Sequence, residues 1–141
     1  MEPASFLNLD LELRSRIDLA PLATYLEDRA AVLHVGAANG EFRLTAEPSI
    51  GGHPTITPEM CTKDFLDLLE SLPQDMGNLF RECHARIFDY GFDGGLMSST
   101  LSVDLPSVQL ARMVNLGIAL RITIYPHRTD TPVNTDTKPD A

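Results

Sequence analysis

Four leucines alternate with four polar residues in Leu7-Asn8-Leu9-Asp10-Leu11-Glu12-Leu13-Arg14. A period of two over eight positions is the pattern of a β-strand with one buried face, and it excludes a helix there, whose apolar residues recur at three and four. The same alternation returns in Phe42-Arg43-Leu44-Thr45-Ala46, in Leu101-Ser102-Val103-Asp104-Leu105 and in Leu120-Arg121-Ile122-Thr123-Ile124-Tyr125. Clean alternation in four segments calls for a sheet with an apolar face covered by helices and a polar face open to water. Two more strands complete the expectation. Ala31 to Gly36 is apolar and runs to Asn39-Gly40, a hairpin turn into Phe42. Arg86 to Phe92 sets Phe88, Tyr90 and Phe92 on one side and Asp89 on the other, before the turn residues Asp93-Gly94-Gly95.

Helices are expected between the strands. Asp18 is a candidate N-cap ahead of Leu19, Leu22, Ala23 and Leu26. Thr57-Pro58-Glu59 opens a second helix carrying Phe65, Leu66, Leu68, Leu69 and Leu72, which Pro73 ends. Met76, Leu79, Phe80 and Cys83 form the stripe of a third. Pro106 opens a fourth, with Leu110, Ala111, Met113 and Val114 expected inside and Gly117 as its stop. The order is β-α-β-β-α-α-β-β-α-β: an α+β fold with a mostly antiparallel sheet of about six strands and helices on one face. Residues 1–126 form the single domain, and residues 127–141, rich in Thr, Pro, Asp and Asn, read as a disordered tail. The 141 residues suit one domain, and 43% hydrophobic with 22% charged residues is a globular composition.

Charge narrows function. The formal net charge is −9 and the pI about 4.7. Nucleic-acid affinity needs a basic face, and anionic lipid needs a basic segment, so neither is an expected partner. The start of the chain, Met-Glu-Pro-Ala-Ser-Phe, lacks the basic and apolar regions of a signal peptide, and no apolar run reaches the ~20 residues of a membrane span. Cys61 and Cys83 form no CxxC pair and read as buried free thiols. The expected location is cytoplasmic.

Motifs of catalysis and cofactor binding are missing from the sequence. His34, His53, His84 and His127 have no metal-ligand spacing, Ser98-Ser99 sit in no nucleophile elbow, and no phosphate loop occurs, so no catalytic residue, metal or cofactor is expected. Asp10 and Glu12, about 7 Å apart along one strand face, form a carboxylate pair near Arg14, which reads either as acid–base machinery or as solvated surface. Asp10, Glu12, Glu41, Asp89 and Asp104 are interspersed with Arg14, Arg43, Arg86 and Arg121, a mixed polar sheet face. The second helix is more one-sided, with Asp64, Asp67 and Glu70 at every third position. Candidate partner-binding residues are therefore Asp64, Asp67 and Glu70 on the helix and Asp10, Glu12 and Asp104 on the sheet.

The segments LDLELRS (9–15), RIFDYG (86–91) and LRITIY (120–125) resemble the characteristic strands of a family of small, uncharacterised bacterial α+β domains. That resemblance implies a bacterial cytosolic protein, with immunity-type neutralisation of a toxin as one context, and brings no catalytic motif. The expected function is a non-enzymatic acidic protein that occludes a basic protein partner such as a toxin. The alternatives are a small ligand-binding domain or enzyme, with Tyr90, Arg86 and His84 around a pocket between helix and sheet, or an oligomerisation module.

Overall fold

The structure, a computed structural model, describes residues 2–50, 55–96, 98 and 100–127. Among these residues the elements run β1 (Ser5–Ser15), α1 (Ala20–Leu26), β2 (Ala30–Ala38), β3 (Glu41–Pro48), α2 (Pro58–Glu70), α3 (Gln74–Glu82), β4 (Ala85–Asp93), α4 (Ser107–Asn115) and β5 (Ala119–Tyr125). One five-stranded sheet has the order β2-β3-β1-β4-β5. The first four strands are antiparallel neighbours, and β4 and β5 are parallel. The fold is α+β with a single mixed sheet.

β1 is the centre of the molecule. Leu9, Leu11 and Leu13 are fully buried against Leu22, Leu26, Phe65, Leu66 and Phe80 from the helices. The face changes at the start of the strand, where a bulge between Phe6 and Asn8 breaks the register with β4. Leu7 turns outward and Phe6 packs on the core instead, with its ring 5.5 Å from that of Phe92. The β2–β3 hairpin closes as its turn residues require: Asn39 and Gly40 have φ of 55° and 81°, the left-handed pair of a type I′ turn. Thr57 caps α2 by accepting from the Met60 N–H at 3.2 Å, with Pro58 at the first helical position.

Three expectations are corrected. Residues 101–105 form no strand, so the sheet has five strands and not six. β4 already has β1 on one edge and β5 on the other, and the Gly94 N–H donates to the Tyr125 carbonyl to prolong the β4–β5 pairing. The alternating segment therefore finds no free edge of β4, and its Leu101 and Val103 line a groove together with Ile122 of β5. With that strand removed, β4, α4 and β5 become a crossover unit, which makes the last pairing parallel.

α4 is also rotated from expectation. Its buried residues are Gln109 and Met113, while Leu110, Ala111 and Val114 are exposed. The third correction concerns β5, whose Leu120, Ile122 and Ile124 point to the helical side yet remain 47%, 60% and 69% exposed. His127, the first residue of the expected tail, is among the described residues, and its Nδ1 lies 3.0 Å from Asp93 Oδ1. The rest of the expected tail, 128–141, lies outside the described residues, as do His53 and Ser99. No helix among the described residues is long and apolar enough to cross a membrane.

Candidate functional site

The open face of the sheet is built by alternation. With the leucines of β1 turned inward, Asp10, Glu12 and Arg14 must stand on the outer face. Register then decides their neighbours. Asp10 is opposite Asp89 of β4, and Glu12 is opposite Thr45 of β3 and Ile87 of β4. Arg121 and Thr123 of β5 flank Asp89 on the far side.

Glu12 is fully compensated. Its Oε1 accepts from Arg121 Nη1 at 2.9 Å, and its Oε2 accepts from Arg14 Nε at 2.8 Å. Burial acts to raise its pKa, but the hydrogen bonds from Arg121 and Arg14 outweigh it and hold the carboxyl below its ordinary value. Asp89 accepts from Thr123 Oγ1 at 2.7 Å and has Arg121 3.6 Å away.

Asp10 is different. Its Oδ1 is shielded from solvent with no hydrogen-bond partner, and the neighbouring Asn8 Oδ1 is in the same condition. Burial, followed by the negative charges of Glu47, Asp89 and Glu12, pushes the Asp10 carboxyl up to about 6. The centre of the face is thus a carboxylate surrounded by acids, while both arginines nearby are committed to Glu12.

The helix stripe is not the bare acidic surface expected from its spacing. Arg112 of α4 forks onto Glu70, with Nε and Nη2 at 2.9 and 2.7 Å, and its Nη2 reaches Asp67 at 2.8 Å. Lys63 also bonds Asp67, at 2.6 Å, and holds its pKa below the ordinary value together with Arg112. Asp64 accepts from the Ser49 N–H at 3.1 Å. These acids pin α2 to α4 and to the end of β3. Replacing Asp64, Asp67 and Glu70 together by Lys is expected to lower the melting temperature, with the larger loss at low salt, because Arg112 and Lys63 then face like charges. Thermal melts at two ionic strengths check this.

Asp104 is exposed in the 101–105 segment and not on a strand, so it does not join Asp10 and Glu12. Nor do Tyr90, Arg86 and His84 converge on a pocket. Tyr90 is buried with its hydroxyl 2.6 Å from Thr62 Oγ1, and His84 Nε2 lies 2.9 Å from Glu41 Oε1. Arg86, expected on the polar face, lies opposite Leu13 on the helical side and bonds backbone carbonyls at the end of α3. A cleft of about 460 Å³ between α2, α3 and α4 includes Arg86 and Glu70, but those groups are engaged in the contacts just described. Cys61 and Cys83 are free and buried, and burial pushes each thiol up to about 11. Among the described residues no group of three His, Cys, Asp or Glu side chains is arranged to hold a metal ion.

Glu47 was not singled out from sequence, although continuing the alternation Arg43, Thr45, Glu47 places it on the face of Asp10. Its influence on Asp10 depends on β3 lying beside β1, which no local pattern states. The chain matches no protein-family model, no curated protein and no solved structure.

Proposed function

We propose that this chain is a non-enzymatic binding protein that receives a basic protein partner on the open face of its sheet, with Asp10 at the centre of contact. The setting that fits is a bacterial cytoplasm, where an acidic immunity-type protein of this kind would cover the basic cleft of a toxin. The observation that supports this reading most is the uncompensated Asp10 carboxylate among Glu12, Glu47 and Asp89. A lysine or arginine of the partner supplies the positive charge that the surrounding side chains do not, and charge complementarity speeds encounter and rejects wrong partners. The acidic helix stripe serves this role less well, since Arg112 and Lys63 already neutralise much of it.

The reading makes binding proton-linked. A partner cation needs Asp10 ionised, and in the free protein that carboxyl holds its proton below about pH 6. Affinity is therefore expected to fall as pH drops below about 6.

Stability runs the other way. The folded pKa of Asp10 is raised above its ordinary value of 3.8, so its contribution to stability is largest at low pH and is lost as pH rises to about 6. Asp10→Asn removes that penalty. With the solvent screening of a partly exposed group allowed for, the variant is expected to be more stable above pH 6 by about 1 kcal/mol and no more stable below pH 4.

The test joins both readouts. Partner capture from the source cells and association kinetics at pH 5 and 8 are measured for the wild type, Asp10→Asn, Asp10→Lys and the triple helix variant. A basic protein held by the wild type, lost by Asp10→Lys and retained by the folded helix variant supports the proposal. A partner held equally by Asp10→Lys and the wild type overturns it.

A further inference from the structure

Among the described residues β5 is an edge strand, with no strand paired on its outer side. Residues 119–125 contain no Lys, Pro or Gly, and their register with β4 is unbroken. Its one charged residue, Arg121, is turned back across its own sheet onto Glu12 and Asp89. The opposite edge is treated differently: β2 is bulged between Val32 and His34 and ends in small residues. Because the Tyr125 carbonyl points to β4, where it accepts from Gly94, alternation aims the backbone N–H and C=O groups of Leu120, Ile122 and Ile124 outward.

The side chains of the same three residues are uncovered too. With Leu101, Val103 and Leu110 they line two adjoining grooves that share Phe92, Val103 and Ile122, of about 380 and 230 Å³. Each of these six large aliphatic residues is at least 40% exposed, and apolar residues grouped in this way on a surface mark a contact site.

From the unprotected edge of β5 and the apolar grooves beside it, we infer that the chain forms a two-fold homodimer in which β5 pairs antiparallel with β5 of a second copy, joining two sheets into one of ten strands. The strand is complementary to itself when the axis passes through Ile122. Leu120 then opposes Ile124 of the other copy, and Ile122 opposes its own equivalent, so apolar meets apolar on the helical side. On the open side Arg121 opposes Thr123, and no like charges stand directly across. The outward N–H and C=O groups of positions 120, 122 and 124 meet their counterparts, which satisfies the edge. Residues 128–141 are a poorer cover, since Val133 is their one large aliphatic residue. Asp10 lies on the opposite face from the grooves, so the dimer stands or falls independently of the basic partner.

The mass in solution tests this, by light scattering and sedimentation from about 1 to 100 μM. The wild type is expected at twice the 15.5 kDa of one chain. Ile122→Glu and Ile124→Glu are each expected to shift it to monomer with unchanged circular dichroism, since both side chains are already more than half exposed. If either variant fails to fold, single cysteines decide. Ile122→Cys on the axis is expected to form an intermolecular disulfide under mild oxidation, with Cα atoms about 5.5 Å apart. Leu120→Cys faces Ile124 of the other copy and is expected to cross-link several-fold less. A monomer throughout the concentration range overturns the inference, whatever else covers the strand. So does a dimer that survives both glutamates, or equal cross-linking at 120 and 122.

Discussion

Leu11→Asp is expected to abolish the cooperative thermal transition and leave the protein insoluble or unfolded. Leu11 sits in the middle of the central strand, paired with Ala46 on one side and Phe88 on the other, and its side chain has no solvent exposure. Truncating a buried leucine costs about 2–5 kcal/mol through lost contacts and the cavity left behind. An unpaired carboxylate in the same place adds several kcal/mol more, because no donor in the core receives it. Together these approach or exceed the ~5–15 kcal/mol that holds a domain of this size folded. The neighbouring residue provides the control. Glu12→Lys leaves the core intact but sets a third cation beside Arg14 and Arg121, so a folded protein with a lower melting temperature is expected. Circular dichroism melts and soluble yield check both. A Leu11→Asp protein that melts within a few degrees of wild type would place Leu11 on the wrong face of the sheet.

Arg86→Met is expected to destabilise the fold by about 2–4 kcal/mol while keeping the apolar stem of the side chain in place. The Arg86 guanidinium donates to the carbonyls of Arg81 at 2.7 Å, Cys83 at 3.0 Å and Phe80 at 3.3 Å. Those oxygens lie at the C-terminal end of α3, where a helix has carbonyls without internal partners and a cation is favoured. Its Nε also reaches the Gly117 carbonyl at 3.3 Å, in the turn between α4 and β5. Gly117 has φ of +67°, and a side chain there would meet the guanidinium. One arginine on β4 thus fixes the ends of two helices. Urea unfolding of the variant gives the loss directly, and Arg86→Lys, with one point charge in place of the fork, is expected to recover only part of it.

Local pattern alone placed much of this. Thr57-Pro58 marked the start of α2, Asn39-Gly40 marked the hairpin, and Phe88, Tyr90 and Phe92 lay on the core side with Asp89 opposite, as their alternation required. Each of these rests on sterics, capping or periodicity within a few residues, which the chain carries wherever it folds.

Pairing is another matter. Residues 101–105 alternate as cleanly as β5 does, but only one of the two segments found an edge of β4 on which to hydrogen-bond. Spacing put Asp64, Asp67 and Glu70 on neighbouring positions of α2, and it did not reveal that Arg112, from α4, would fold across two of them. Asp10 and Glu12 read alike in sequence, as two acids on one strand face. The tertiary structure separates them, because Arg121 of β5 reaches one while Glu47 of β3 and Asp89 of β4 surround the other. Electrostatic environment and exposure are set by residues distant in sequence. Periodicity tells which way a side chain points; strand order decides what it meets there.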